Sequence, residues 1–233
     1  MLALLVVVLL SYVIGSIPSS IWVGKAAKGV DIRDHGSGNA GATNTFRILG
    51  WKPGVSVLLI DLFKGFVCSF WVSQLAYHIA SGPIAIIPNW EMDPFLQILC
   101  GVVAIVGHMF PILANFGGGK GMATATGMLV AIEPISIGIA TVVFLIVMIS
   151  TRYVSLASLV AAFMYPLVLL LLRYGFGLDI DGSILIFGAV AGIGIIIKHI
   201  GNIRRLLKGT ENKVGSFKPA KGWLNKDQKQ SAT

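Results

Sequence analysis

The feature that most limits what this chain can become is a series of apolar runs, each long enough to cross a lipid bilayer. Residues 2–24, 94–116, 153–172 (the last opening on Tyr153) and 182–197 carry no charge. Residues 53–80 are interrupted only by Asp61 and Lys64, and residues 121–151 only by Glu133. A hydrocarbon core about 30 Å thick takes about 20 apolar residues per helix. Only 12% of the chain is charged, about half the usage of soluble domains. That balance excludes a disordered chain and argues against a soluble one. The sequence reads as an all-α integral membrane protein.

The net charge of +8 fits this reading. Lys and Arg concentrate in cytoplasmic loops of membrane proteins, so the basic excess marks topology and nucleic acid is not expected as a partner. The first charge, Lys25, follows the first apolar run, so that run reads as a retained span and not a cleaved signal. Cys68 and Cys100 lie inside apolar runs as packing residues.

Residues 121–151 are long for one helix and short for two. A single span there would place the basic tail opposite the basic stretch 25–52. A turn at Glu133–Pro134 places both on one side, as the positive-inside rule prefers. The result is seven transmembrane helices, N-terminus outside and C-terminus cytoplasmic. The outer loops then hold Glu91, Asp93, Glu133, Asp179 and Asp181, with Arg173 their only basic residue. The fourth helix has roughly a dozen residues, about 18 Å. It is therefore a short partial span, its start at Lys120–Gly121 recessed below the cytoplasmic surface. Residues 1–211 form one membrane domain, and 212–233 a polar basic cytoplasmic tail. No internal repeat is evident.

Under this topology three polar clusters share the cytoplasmic side. The first, residues 36–47, contains Gly36-x-Gly38-x-x-Gly41. A dinucleotide site is rejected because no strand precedes the glycines and Asp61, about 20 residues on, lies within a span. What remains is a loop rich in N–H groups and in Ser37, Asn39, Thr43 and Asn44, with a guanidinium at Arg47: phosphate-binding donors, or a plain connecting loop. The second cluster joins Gly107-His108 to Gly117-Gly118-Gly119-Lys120-Gly121. It resembles a nucleotide-binding loop, but no Ser or Thr follows the lysine, so magnesium nucleotide is not expected. Glycines and a lysine at a helix N-terminus still suit an anion. The third, Lys198-His199-x-x-Asn202-x-x-Arg205 with Glu211, puts His199, Asn202 and Arg205 on one helix face, or simply touches anionic lipid.

Asp61 and Lys64, at i, i+3 in an apolar span, are expected to pair and face the interior. Ser155, at a cytoplasmic helix end, can donate to phosphate or bond back to its own helix. His35, His108 and His199 lack metal-ligand spacing, so no metal is expected.

These motifs, running from about Ser16 to Glu211, resemble the bacterial acyl-phosphate:glycerol-3-phosphate acyltransferase family. The resemblance rests on Gly-Ser-Gly-Asn-x-Gly-Ala-Thr-Asn-x-x-Arg at 36–47 and Asp-x-x-Lys-Gly at 61–65. It continues with Gly-His-x-Phe-Pro and Phe-x-Gly-Gly-Lys-Gly within 107–121, then Lys-His-x-x-Asn-Ile-x-Arg at 198–205. It implies a multi-pass enzyme of the bacterial inner membrane, its active site facing the cytoplasm and no cofactor required. The enzyme would move a fatty acyl group from acyl phosphate to the 1-hydroxyl of glycerol 3-phosphate, giving lysophosphatidic acid and phosphate. His199, Asn202, Ser37, Arg47 and Lys120 become the catalytic candidates. Asn39, Thr43, Asn44, Gly118, Gly119, Gly121 and Ser155 become substrate-binding candidates. Asp61, Lys64, His108, Arg205 and Glu211 become supporting ones. Ser37 can be read as a nucleophile or as a phosphate-binding hydroxyl, and His199 as a general base or a positioning group. The competing class is an organophosphate transporter, which short acidic outer loops disfavour.

Overall fold

A computed structural model describes residues 1–80 and 92–213. Eleven α-helices are found among them: α1 (Leu2–Gly15), α2 (Ser19–Lys28), α3 (Ala42–Leu49), α4 (Trp51–Val67), α5 (Ser73–Ile79), α6 (Met92–Met109), α7 (Met122–Ile132), α8 (Pro134–Thr151), α9 (Val154–Leu170), α10 (Gly182–Lys198) and α11 (Ile200–Leu207). Among the described residues, five segments are long and apolar enough to cross a membrane: Leu2–Lys28, Trp51–Ile79, Met92–Ala114, Pro134–Thr151 and Val154–Gly175. Helices α10 and α11 meet the same test only when taken together across a 58° bend, and α7 is the shorter apolar helix that precedes α8. Leu5, Leu9, Phe63, Ile146, Phe163, Val190 and Ile193 face outward, as lipid requires.

The first apolar run is not one straight helix. Pro18 follows α1 closely, where its missing N–H interrupts the ladder, and the path resumes as α2. Gly29, left-handed at φ +71°, closes α2, with Lys25 and Lys28 in its last turn. The second span starts at Trp51 and passes through a π-turn, Cys68–Val72, into α5. Asp93 belongs to the first turn of α6 and not to a loop; Glu91 lies outside the described residues. The expected turn at Glu133–Pro134 is present: Glu133 caps α8 by accepting from the Ser136 N–H at 2.6 Å.

Glycines set the helix spacing. A Cβ on Gly65 of α4 would sit 2.0 Å from the Thr124 carbonyl oxygen of α7, and one on Gly127 would sit 1.8 Å from that of Leu62. No larger residue allows this α4–α7 contact, the small-residue packing that membrane helices use in place of a hydrophobic driving force. Gly15 and Gly107 join α1 to α6 in the same way. Among the described residues three packed cores result, one of them Ile21, Ile32, Ala40, Ile48, Leu49 and Ala114 beneath the loop before α3. Val7, Cys68, Val72, Ala76, Leu96, Cys100 and Ala104 fill a second; Leu129, Ile137, Ala140, Tyr165, Leu169, Ile180 and Ile184 fill the third, between α7 and α10.

Candidate active site

A cavity of about 910 Å³ opens between α4, α7, α8, α9 and α10. Its mouth is polar and its interior apolar.

Two helix N-termini meet at the mouth. The stretch 25–52, expected as a loop, contains α3, so Thr43, Asn44 and Arg47 are helical. Gly36 and Gly38, at φ +64° and +71°, turn the chain into it. Asn44 is a staple: it accepts from the Ser37 N–H at 3.0 Å and donates to the carbonyls of Ile32 and His35. Its amide is thereby committed to the loop, and Ser37, Asn39, Thr43 and Arg47 line the cavity beside it. Arg47, half-buried, has no acceptor among the described residues.

The second N-terminus belongs to α7, whose opening residues Met122 and Ala123 line the cavity; first-turn N–H groups lack intrahelical acceptors. Gly121 precedes it at φ +80°. The neighbouring glycines are required by packing against α6. A Cβ on Gly118 would lie 2.1 Å from the His108 carbonyl oxygen, and one on Gly119 would lie 2.2 Å from His108 Nε2 and 2.6 Å from the Ala40 carbonyl oxygen. Gly119 also donates its N–H to the His108 carbonyl. Gly118 and Gly121 line the cavity; the Cβ direction of Gly119 points away, towards His108 and Ala40.

Lys120 Nζ donates to Asn202 Oδ1 at 2.6 Å, and Asn202 Nδ2 donates to Glu211 Oε1 at 2.9 Å. Arg205 and Ser155 complete the Glu211 carboxylate, at 2.7 and 3.1 Å. Ser155 thus does not bond back to its own helix; it donates to the Glu211 carboxylate and ties α9 to the segment after α11. Burial tends to raise the Glu211 pKa, but hydrogen bonds from Asn202, Arg205 and Ser155 outweigh it and hold the pKa below the usual value. Burial, then repulsion from Arg205, lowers that of Lys120.

His199 caps the end of α10. Its Nδ1 lies 2.9 Å from the Ile195 carbonyl oxygen. A carbonyl only accepts, so Nδ1 carries the proton and Nε2 keeps a free lone pair. Burial, and then the Lys120 charge, lower its pKa and favour this neutral form.

Behind the mouth, Asp61 and Lys64 pair at 2.9 Å, 1% and 4% exposed. The expected pairing is present. Asp61 also accepts from Ser19 at 2.7 Å, His108 Nδ1 lies 3.5 Å away, and Lys64 donates to the Ile17 carbonyl. This cluster joins α2, α4 and α6. Ser19 had no sequence signal, since its partner is 42 residues distant. Arg33 was also missed. It grips Asp31 with two nitrogens, at 3.1 and 2.8 Å, and reaches the Ala114 carbonyl, bracing one mouth loop against the other. The Asp31-x-Arg33 spacing was its only hint.

Deeper in, the walls are Leu62, Leu129, Ile137, Phe144, Ala161 and Ala162, with Tyr165 at the far end. The stripe of small residues Ser155, Ser158, Ala161 and Ala162 on α9, at helical spacing, was its legible trace. Membrane-crossing helices around a cavity with two helix N-termini and basic side chains at its mouth, and an apolar interior, define a multi-pass membrane protein suited to an anionic, chain-bearing ligand.

Known proteins sharpen this. The model of the glycerol-3-phosphate acyltransferase family matches residues 5–209. A glycerol-3-phosphate acyltransferase of Salinibacter ruber is 46% identical, covering 98% of this chain and all of the relative. One of Chlorobium limicola is 44% identical, over 92% and 97%. Crystal structures of PlsY (YgiH), an integral membrane glycerol 3-phosphate acyltransferase, superpose with TM-score 0.72 for the glycerol 3-phosphate form and 0.73 for the lysophosphatidic acid form. Both are 34% identical; they cover 91% and 92% of this chain, and 96% and 97% of theirs is matched. The chain belongs to the glycerol-3-phosphate acyltransferase family.

Proposed function

We propose that the protein transfers a fatty acyl group from acyl phosphate to the 1-hydroxyl of sn-glycerol 3-phosphate, giving lysophosphatidic acid and phosphate. The observation that carries this is the continuity of an anion-binding mouth with an apolar interior in one cavity. The ligands of the PlsY structures, an acceptor and a product of this reaction, support it.

Acyl phosphate is a mixed anhydride, activated already, so the protein need only bring two phosphates together and orient them. Clustered positive potential does this: the N-termini of α3 and α7, Arg47 and Lys120. Ser37, with no base bonded to its hydroxyl among the described residues, is a phosphate-binding hydroxyl and not a nucleophile. Asn39, Thr43 and Gly118 complete the phosphate cradle. Asn202 holds Lys120, and Glu211 with Arg205 holds Asn202. His199 Nε2 accepts a hydrogen bond from the 1-hydroxyl of glycerol 3-phosphate and aims it. The hydroxyl oxygen bonds to the acyl carbon, the bond from that carbon to the phosphate oxygen breaks, and the departing phosphate takes the hydroxyl proton. The acyl chain lies in the apolar interior. No cofactor is needed.

In the membrane, α7 counts as a partial span and α10 as a full one. Seven spans then place the N-terminus outside and the mouth at the cytoplasmic face of the inner membrane, where both phosphates are met.

The test offers purified protein acyl phosphate and glycerol 3-phosphate in detergent. Phosphate release should require both. Release from acyl phosphate alone, or none, would overturn the reading.

A further inference from the structure

The apolar interior has a defined end. On α9 the lining runs from Ser155 at the mouth to Tyr165, and ten residues of helix rise roughly 15 Å. One turn beyond, Leu169 is fully buried and does not line the cavity; with Ile180 and Ile184 it packs into a closed core that includes Tyr165. Tyr165 is therefore the last aromatic ring before solid packing. It is held from behind: a Cβ on Gly188 of α10 would meet Tyr165 Cε1 at 3.2 Å and Leu169 Cδ1 at 2.8 Å, so the glycine makes room for the ring. The phenol oxygen is buried with no hydrogen-bond partner among the described residues. What this site retains is ring volume and not a polar contact.

We propose that Tyr165 is the specificity-determining floor of the acyl cavity and sets the longest chain the enzyme transfers efficiently. This rests on the reading that the cavity takes the acyl chain. A chain that ends short of the ring fills the space. A longer one must bend or displace Tyr165 against Leu169, and cores resist added volume.

The test compares kcat/KM for decanoyl, dodecanoyl, hexadecanoyl and octadecanoyl phosphate. Tyr165→Ala and Tyr165→Leu deepen the cavity, Tyr165→Phe keeps its floor, and Ala140→Leu fills it from α8. The longest-to-shortest ratio should rise roughly tenfold in Tyr165→Ala or Tyr165→Leu, stay as in the wild type for Tyr165→Phe, and fall in Ala140→Leu. Turnover of the shortest donor identifies folded protein, and the milder Leu variant decides should the Ala variant not fold. An unchanged ratio in an active Tyr165→Leu protein, with the wild type transferring acyl groups normally, overturns the role of Tyr165 alone. A wild type that uses no acyl phosphate overturns the functional reading instead.

Discussion

Lys120 Nζ and Asn202 Oδ1 lie 2.6 Å apart although 82 residues separate them in the chain. The bond joins the loop before α7 to α11. Because Asn202 turns its other amide end to Glu211, the mouth lysine is positioned by a relay that runs through Asn202 to Glu211.

Glu211→Gln should therefore loosen Lys120 without touching substrate. Hydrogen bonds to a charged carboxylate contribute about 1.5–3 kcal/mol each when made, and the amide can keep only some, so a loss of about 1–2 kcal/mol in thermal unfolding at pH 7 is expected, with a raised KM for glycerol 3-phosphate. The sign with pH follows from the lowered folded pKa. The carboxylate contributes stability above its unfolded pKa, about 4.3, and loses it as pH falls on through the lower folded value. Wild type and variant should converge in acid. Unfolding curves in detergent at pH 7 and well below pH 4 measure this, and a gap that persists in acid would contradict the assignment.

For His199, positioning and base catalysis separate by substitution. His199→Ala should mainly raise KM, and His199→Gln should recover much of the loss by offering an acceptor oxygen near Nε2. The wild-type acid limb should fall below the ordinary histidine value, about 6.5, because burial and Lys120 disfavour the imidazolium. Single-turnover acyl transfer across pH 5.5–8.5, values chosen to bracket about 6.5, makes the comparison. Equal and complete loss in both variants at saturating substrate would mean that the proton goes to His199.

The buried pair gives an asymmetric result. Asp61→Ala leaves Lys64 uncompensated in an apolar span, and breaking such a pair costs about 3–5 kcal/mol. Replacing both, Asp61→Leu with Lys64→Met, removes the stranded charge and should restore more folded protein than either single change. Yield of monodisperse protein after detergent extraction reports it. A double variant no better than the worse single one would show that Ser19 and His108 need the carboxylate as well.

Gly119→Ala should raise the KM for glycerol 3-phosphate and also lower the thermal midpoint, because its Cβ meets the Ala40 carbonyl oxygen and His108. Gly194→Ala in α10, where a Cβ meets nothing within 4 Å, should instead stabilise by about 0.5–1 kcal/mol. Unchanged kinetics and midpoint in the Gly119 variant would mean that the loop relaxes freely.

Orientation is open to thiol labelling in sealed vesicles. Cys68 and Cys100 are buried, so added thiols report alone. Asp179→Cys should react with an impermeant reagent from outside and Lys208→Cys only after permeabilisation. The reverse pattern would invert the bundle.

The sequence alone marked the apolar runs, the break at Glu133–Pro134, the shortness of α7, and which polar clusters lie together. These follow from local rules: charge is excluded from hydrocarbon, a helix rises a fixed distance per residue, and basic loops stay inside. It also marked Asp61 and Lys64 as a pair, because i, i+3 spacing is a local geometry. Tertiary structure decided the rest. That Asn44 serves its own loop, that Ser155 holds Glu211, that Gly119 exists for Ala40 and His108, and that Tyr165 closes the cavity all depend on groups distant in the chain. In a bilayer, outward faces need only be apolar, so sequence patterning says little about which helices touch. Close approaches at Gly65–Thr124 and Gly127–Leu62 make that choice, and a small residue in a sequence marks a close contact without naming the helix it meets.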